Sequence, residues 1–194
     1  MIFINAFSLL NEIFLYNYYI EEKNMDFLKL AKDRYSCRRF SDKVVEDEKI
    51  DKILEAARLA PTAVNFQPER IIVVKSSEAM LKLKKGISPN LNPTLAFIVS
   101  YDKNACWVRE YDNEPSGAVD ATIVATHMML EATSLGLGST WVMHFNPFIV
   151  KEEFELDDNI IPVAVLVMGY PAIDASPSAN HTKRKEAKEF CKIV

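Results

Sequence analysis

Glycine is scarce: five in 194 residues leave no room for a Gly-rich repeat or a collagen-like period. Positive charge is not in excess either. Twenty-three Lys and Arg face 27 Asp and Glu, a formal net charge of −4, so the basic footprint of a nucleic-acid binder is missing. Cysteine is limited to Cys37, Cys106 and Cys191, an odd number without a CxxC pair, which predicts a reduced, cytoplasmic protein. The three histidines (His127, His144, His181) are scattered with no HxxxH or CxxC partner, so a zinc site is not expected. No GxSxG elbow, Walker loop or strand-to-helix GxGxxG occurs. Gly136-Leu137-Gly138 follows a helical pattern rather than preceding one, and reads equally as a helix stop or a phosphate loop.

What is present describes a globular chain. Hydrophobic residues make up 49% and charged residues 26% of the sequence. At ~150 residues per domain the length predicts one compact domain, large enough to fold without a disulfide or metal. The first 24 residues stand apart. Residues 1–20 are apolar and aromatic, but Asn5, Asn11, Glu12 and Asn17 would go unsatisfied in lipid, so no membrane span is expected. The segment also lacks the basic start and small-residue cleavage site of a signal peptide. Glu21-Glu22-Lys23-Asn24 could be encoded by a purine-rich ribosome-binding stretch, with translation starting at Met25. The expectation is a leader at 1–24 that is not part of the functional protein, and a single domain at 25–194.

Periodicity places the elements of that domain. Asp26 caps a first helix, and the acidic run Glu46-Asp47-Glu48 opens a second that Pro61 ends. Ile71–Val74, Leu95–Val99, Thr140–Met143 and Val163–Met168 read as strands. Ser77–Lys85, a short stretch from Pro147, and the end of the tail read as helices, and Gly117–Leu135 is the longest helical pattern. Helices and strands intermix without βαβ alternation, so the fold class is α+β.

Three segments carry chemistry. In an extended Arg34-Tyr35-Ser36-Cys37-Arg38-Arg39-Phe40, alternate residues share a face, so Arg34, Ser36 and Arg38 present two guanidinium forks and a hydroxyl together. That suits a phosphate and a second anionic group; an ordinary charged surface strand fits the same pattern. Ala60-Pro61-Thr62-Ala63-Val64-Asn65-Phe66-Gln67-Pro68 is a proline-stiffened loop whose Thr, Asn and Gln can read the amide edge of a heterocycle, or simply connect helix to strand. His181-Thr182-Lys183-Arg184-Lys185 is a basic tail or a solvated charge run.

In this order, with Ala56-Ala57-Arg58 before the loop, Leu135-Gly136-Leu137-Gly138-Ser139-Thr140-Trp141 after the long helix, and Gly169-Tyr170-Pro171 near the end, the chain resembles the nitroreductase family of FMN-dependent oxidoreductases from about Met25 to Val194. The resemblance implies a nitroreductase-like α+β fold with a central mixed sheet flanked by helices. It also implies an intertwined homodimer with FMN at the interface. On that basis Arg34, Ser36 and Arg184 hold the phosphate and ribityl chain, and Arg38 lies by the N1/O2 side of the ring. Pro61, Thr62, Asn65 and Gln67 reach the same flavin from the partner subunit. The backbone of Met143 and His144 faces N5 and O4, where many relatives have glycine. No side chain is implied as catalytic, because the flavin carries the reaction. NADH or NADPH delivers a hydride, and a small-molecule acceptor such as a nitroaromatic or quinone takes the electrons in a ping-pong cycle. Dehalogenation, enone reduction or flavin cleavage on the same scaffold, and a non-catalytic FMN-binding protein, are the alternatives. Trp107, Arg109 and Tyr111 belong to a stretch that either shapes the acceptor pocket or is a surface excursion.

Overall fold

The computed structural model describes residues 26–88 and 91–194, so the expected leader lies outside the described residues. The chain divides into two compact units, Met1–Asp33 and Arg34–Val194. In the first, α1 (Phe27–Asp33) starts as predicted, with the Asp26 carboxylate accepting from the Leu28 amide at 2.9 Å.

The second unit carries the rest. After α2 (Asp47–Arg58) comes a short 3₁₀ turn at Ala63–Asn65, then β1 (Glu69–Val74), α3 (Ser77–Gly86) and β2 (Leu95–Asp102). A two-stranded hairpin, β3 (Val108–Arg109) and β4 (Glu114–Pro115), leads into the long α4 (Gly117–Ser134). β5 (Gly138–Val142), α5 (Pro147–Glu153), β6 (Ile160–Gly169) and α6 (Ala187–Phe190) complete it. Sheet order is β1-β2-β6-β5. Every pairing among these four strands is antiparallel, and among the described residues the parallel component of the expected mixed sheet is confined to a bridge between Ser36 and Ser139.

Strand alternation sends side chains to two faces. Leu95, Phe97 and Val99 of β2, with Leu166 and Met168 of β6, pack against Ile50, Ile53 and Ala57 of α2 and Val124, Met128 and Ala132 of α4. Ala96, Ile98, Val165 and Val167 face the other way, onto Leu83 of α3 and Val150 of α5. The central strands are therefore apolar on both faces, which is why β2 and β6 read as continuous hydrophobic runs.

Two boundaries moved for physical reasons. β6 begins three residues before the expected Val163 and contains Pro162, which pairs with Ser100 beside a register shift at Val99/Ser100. At such an irregularity a missing ladder donor is tolerated. β5 runs Gly138–Val142, starting two residues before the expected Thr140 and ending one residue short of Met143. Of the two readings of Gly136-Leu137-Gly138, the helix stop is the one built. Gly136 takes φ +76°, and the Leu137 amide returns to the Ala132 carbonyl at 2.8 Å.

At the start of α2, the Tyr170 hydroxyl donates to Glu46 at 2.7 Å while Lys43 pairs with the same carboxylate at 3.1 Å. The tyrosine first, then a backbone amide and Lys43, hold the Glu46 carboxyl down at about 2. A folded-state value below the ordinary one means the contribution is complete above about pH 4.5 and is lost as pH falls toward 2. Tyr170→Phe keeps the ring and removes the donor. Its melting temperature should trail the native protein at pH 5 and converge with it by pH 2, as thermal scans across that range would show.

Candidate functional site

The segment after α1 builds one wall of the site. Cys37 is fully buried, and its amide donates to the Ser139 carbonyl at 2.9 Å. The Thr140 hydroxyl donates to the Cys37 carbonyl in return. With Cys37 pinned inward, the alternation of an extended chain turns Ser36 and Arg38 outward. Gly138 makes the approach possible, since a Cβ there would sit 2.6 Å from the Cys37 Cβ and 2.7 Å from its Sγ. On the other side, the Ser41 amide donates to the Tyr170 carbonyl and the Ala172 amide to the Arg39 carbonyl, at 2.9 and 3.0 Å. The segment is thus wedged between β5 and the chain leaving β6.

Arg34, Ser36 and Arg38 line one cavity of about 170 Å³ together with Arg184 of the tail. The tail segment that supplies Ser178, Asn180 and His181 folds against it, and the His181 ring meets Tyr35 edge-on with centroids 6.3 Å apart. Arg38 is fixed by a 3.1 Å bond from its Nη1 to the Ser36 carbonyl. Arg184 donates to the His181 and Lys183 carbonyls. Among the described residues no carboxylate lines the cavity and Arg34 has no acidic partner. Three arginines lining one cavity, with no carboxylate among its described lining residues, have the chemistry to take an anion. Ser178 and Asn180 were missed in the sequence, where His181 stood only as the start of the basic tail; the polar run preceding Arg184 was the available signal.

The remaining predicted residues lie elsewhere in this chain. Pro61, Thr62, Asn65 and Gln67 sit on the loop around the 3₁₀ turn, which does not line the arginine cavity. Non-glycine residues take left-handed backbone there: φ is 46° at Val64, 57° at Asn65 and 50° at Gln67. The Gln67 amide donates to the Thr62 hydroxyl at 3.1 Å, and the Gln67 side chain donates to the Asn65 carbonyl at 3.2 Å. Val64 and Phe66 are left exposed. Met143 is exposed beyond the end of β5. His144 lines a separate groove of about 500 Å³ with Lys85, Ser88 and Phe148, and its carbonyl accepts from the Ser88 amide at 3.0 Å. A single chain therefore gathers four of the ten predicted residues and leaves six on other surfaces. Trp107, Arg109 and Tyr111 belong to the hairpin region, with Arg109 held by a two-pronged contact to Asp112 at 2.6 and 2.7 Å.

The model of the Nitroreductase family matches residues 31–96 and 92–170. A nitroreductase family protein of Clostridium difficile 630 superposes with a TM-score of 0.81 at 44% identity, over 87% of this chain and 98% of that one. Another, from Clostridium novyi NT, gives 0.70 at 26% identity, over 77% and 87%. An FMN reductase [NAD(P)H] of Bacillus subtilis (strain 168) is 29% identical over 165 residues, which is 76% of this chain and 66% of that protein. The chain belongs to the nitroreductase family.

Proposed function

We propose that this protein is an FMN-dependent oxidoreductase that draws electrons from NADH or NADPH and passes them to a nitroaromatic, quinone or similar small acceptor in a ping-pong cycle. The observation that carries the reading is the arginine cavity, whose donors have the chemistry of a phosphate site, with no carboxylate beside them among the described residues. The relative named FMN reductase [NAD(P)H] supplies the cofactor and reductant by kinship. Bound FMN supplies hydride acceptance at N5 and its redelivery to a second substrate. The protein's work is placement. Arg34 and Arg184, with the Ser36 hydroxyl, hold the phosphate and ribityl chain. Arg38, tied to the Ser36 carbonyl, stands at the N1/O2 side of the ring. The main chain at Met143 and His144 faces N5 and O4.

The Pro61–Gln67 loop completes the site from a second copy of the chain, with one FMN for each. Support comes from apolar surface that one chain leaves bare: Val64 and Phe66 on the loop, and Ile173, Phe190, Ile193 and Val194 on the tail. All ten residues fall within Arg34–Val194. No helix among the described residues is long and apolar enough to cross a membrane, and the three cysteines are free, in keeping with a reducing, cytoplasmic setting. The purified protein should show a flavin spectrum that NADH or NADPH bleaches without oxygen, and that a nitroaromatic or quinone restores. A flavin-loaded protein bleached by neither nucleotide would overturn the enzymatic reading.

A further inference from the structure

Asp120 lies in the first turns of α4 with 2% of its surface exposed. Among the described residues no cation pairs with it. Burying a carboxylate is costly unless donors satisfy it, so one kept at this place must be doing something an apolar side chain could not. Its contacts say what. Oδ1 accepts from the backbone amide of Ala63 at 2.9 Å, 57 residues away in sequence, and Oδ2 accepts from the Ser116 hydroxyl at 2.6 Å. Ser116 is the residue just before α4, so the hydroxyl orients the carboxylate while the carboxylate holds the loop.

That loop has reason to need holding. Val64, Asn65 and Gln67 all carry positive φ, a conformation that side chains with a Cβ disfavour. Its own bonds, Asn65 and Gln67 to Thr62 and Phe66 to Ala63, shape it without fixing where it sits. The bond from Ala63 to Asp120 fastens it to the longest helix among the described residues.

We propose that Asp120 is a positioning residue for the flavin site, clamping the Pro61–Gln67 loop to α4 so that Asn65 and Gln67 are presented in a fixed orientation. The proposal rests on the reading that this loop contacts the flavin. It concerns the acceptor oxygen of the side chain rather than its charge, and that separates it from a general role in stability. Asn keeps an oxygen for Ala63 and gains an N–H for the Ser116 hydroxyl, whereas Ala offers neither.

Two readouts test it on the full chain. Amide exchange of the apoprotein reports the loop directly, and flavin fluorescence titration reports the FMN dissociation constant. In Asp120→Ala the Ala63–Gln67 amides should exchange faster and FMN should bind about tenfold more weakly, as expected for loss of a bond to a charged acceptor. Asp120→Asn should restore both to within about threefold of the native protein. Native exchange and affinity in Asp120→Ala, or an Asn variant as impaired as the Ala one, would overturn the proposal. Asn65→Ala and Gln67→Ala separate the two claims. If both bind FMN normally, the loop is not a flavin contact, and the exchange data alone decide whether Asp120 anchors it.

Discussion

Replacing Arg34 with glutamine is expected to strip FMN from the protein while leaving the potential of the remaining bound flavin close to native. Arg34 lines the cavity with no carboxylate among its described lining residues, and the FMN phosphate is its proposed partner. Loss of charge-assisted hydrogen bonding costs ~1.5–3 kcal/mol, which corresponds to roughly 10- to 150-fold weaker binding. The phosphate bears the same charge whatever the state of the ring, so affinity changes and potential does not. Arg38→Gln should behave in the opposite way. Beside N1 a guanidinium favours the state in which negative charge resides on the ring, and its removal lowers the two-electron potential while oxidised FMN stays bound. Arg38 is exposed in this chain, so solvent screens the interaction. A surviving ~1 kcal/mol lowers the potential by about 20 mV. Spectroelectrochemical titration of both variants is the check; a larger shift for Arg34→Gln than for Arg38→Gln would reverse the assignments.

Gly138→Ala is expected to damage both stability and flavin retention. The new Cβ would meet the Cys37 Cβ at 2.6 Å, and neither atom belongs to a side-chain end that can swing away. Overpacking of this kind costs ~1–3 kcal/mol, or a fall of roughly 2–12 °C in melting temperature for a chain of this size. The displaced backbone is the one that aims Ser36 and Arg38, so the variant should also lose FMN. Gly136→Ala is the contrast. Nothing lies within 4 Å of its Cβ, and only the φ of +76° penalises it, so stability should drop while FMN affinity holds. Adding Cys37→Gly to Gly138→Ala removes the colliding atom and should recover part of the loss. Calorimetry with a flavin titration reads all four proteins.

How much of this was legible beforehand follows the range of the forces involved. α2 and α4 were readable because an acidic first turn, an apolar stripe and a terminal glycine act within a few residues of one another. The convergence of Arg34, Ser36 and Arg38 followed from the two-residue repeat of extended chain, and Arg184 joined them through the family resemblance. What stayed hidden depends on contacts across the fold. Asp120 looked like any acidic residue in a helix's first turn until Ala63 arrived against it. Val64, Asn65 and Gln67 gave no sign of left-handed backbone, since that conformation is normally advertised by glycine. Pro162 concealed the start of β6 because the irregularity that admits it arises at Ser100, on another strand. β3 and β4, two residues each, are too short for any alternation to show.

The wedged segment that carries Ser36 also leaves the sheet lopsided with respect to aggregation. At Ser139 the outer margin of β5 is taken by Ser36 and Cys37, so another molecule cannot add a strand there. Among the described residues β1 pairs with β2 alone, and Ile71, Ile72 and Val73 lie half-buried along that opposite margin. Unpaired backbone beside β-branched side chains is what recruits a foreign strand. Of the two margins, as far as the described residues go, β1 is therefore the one open to an added strand, and a single charge placed on its middle residues would discourage such pairing without touching the arginine cavity.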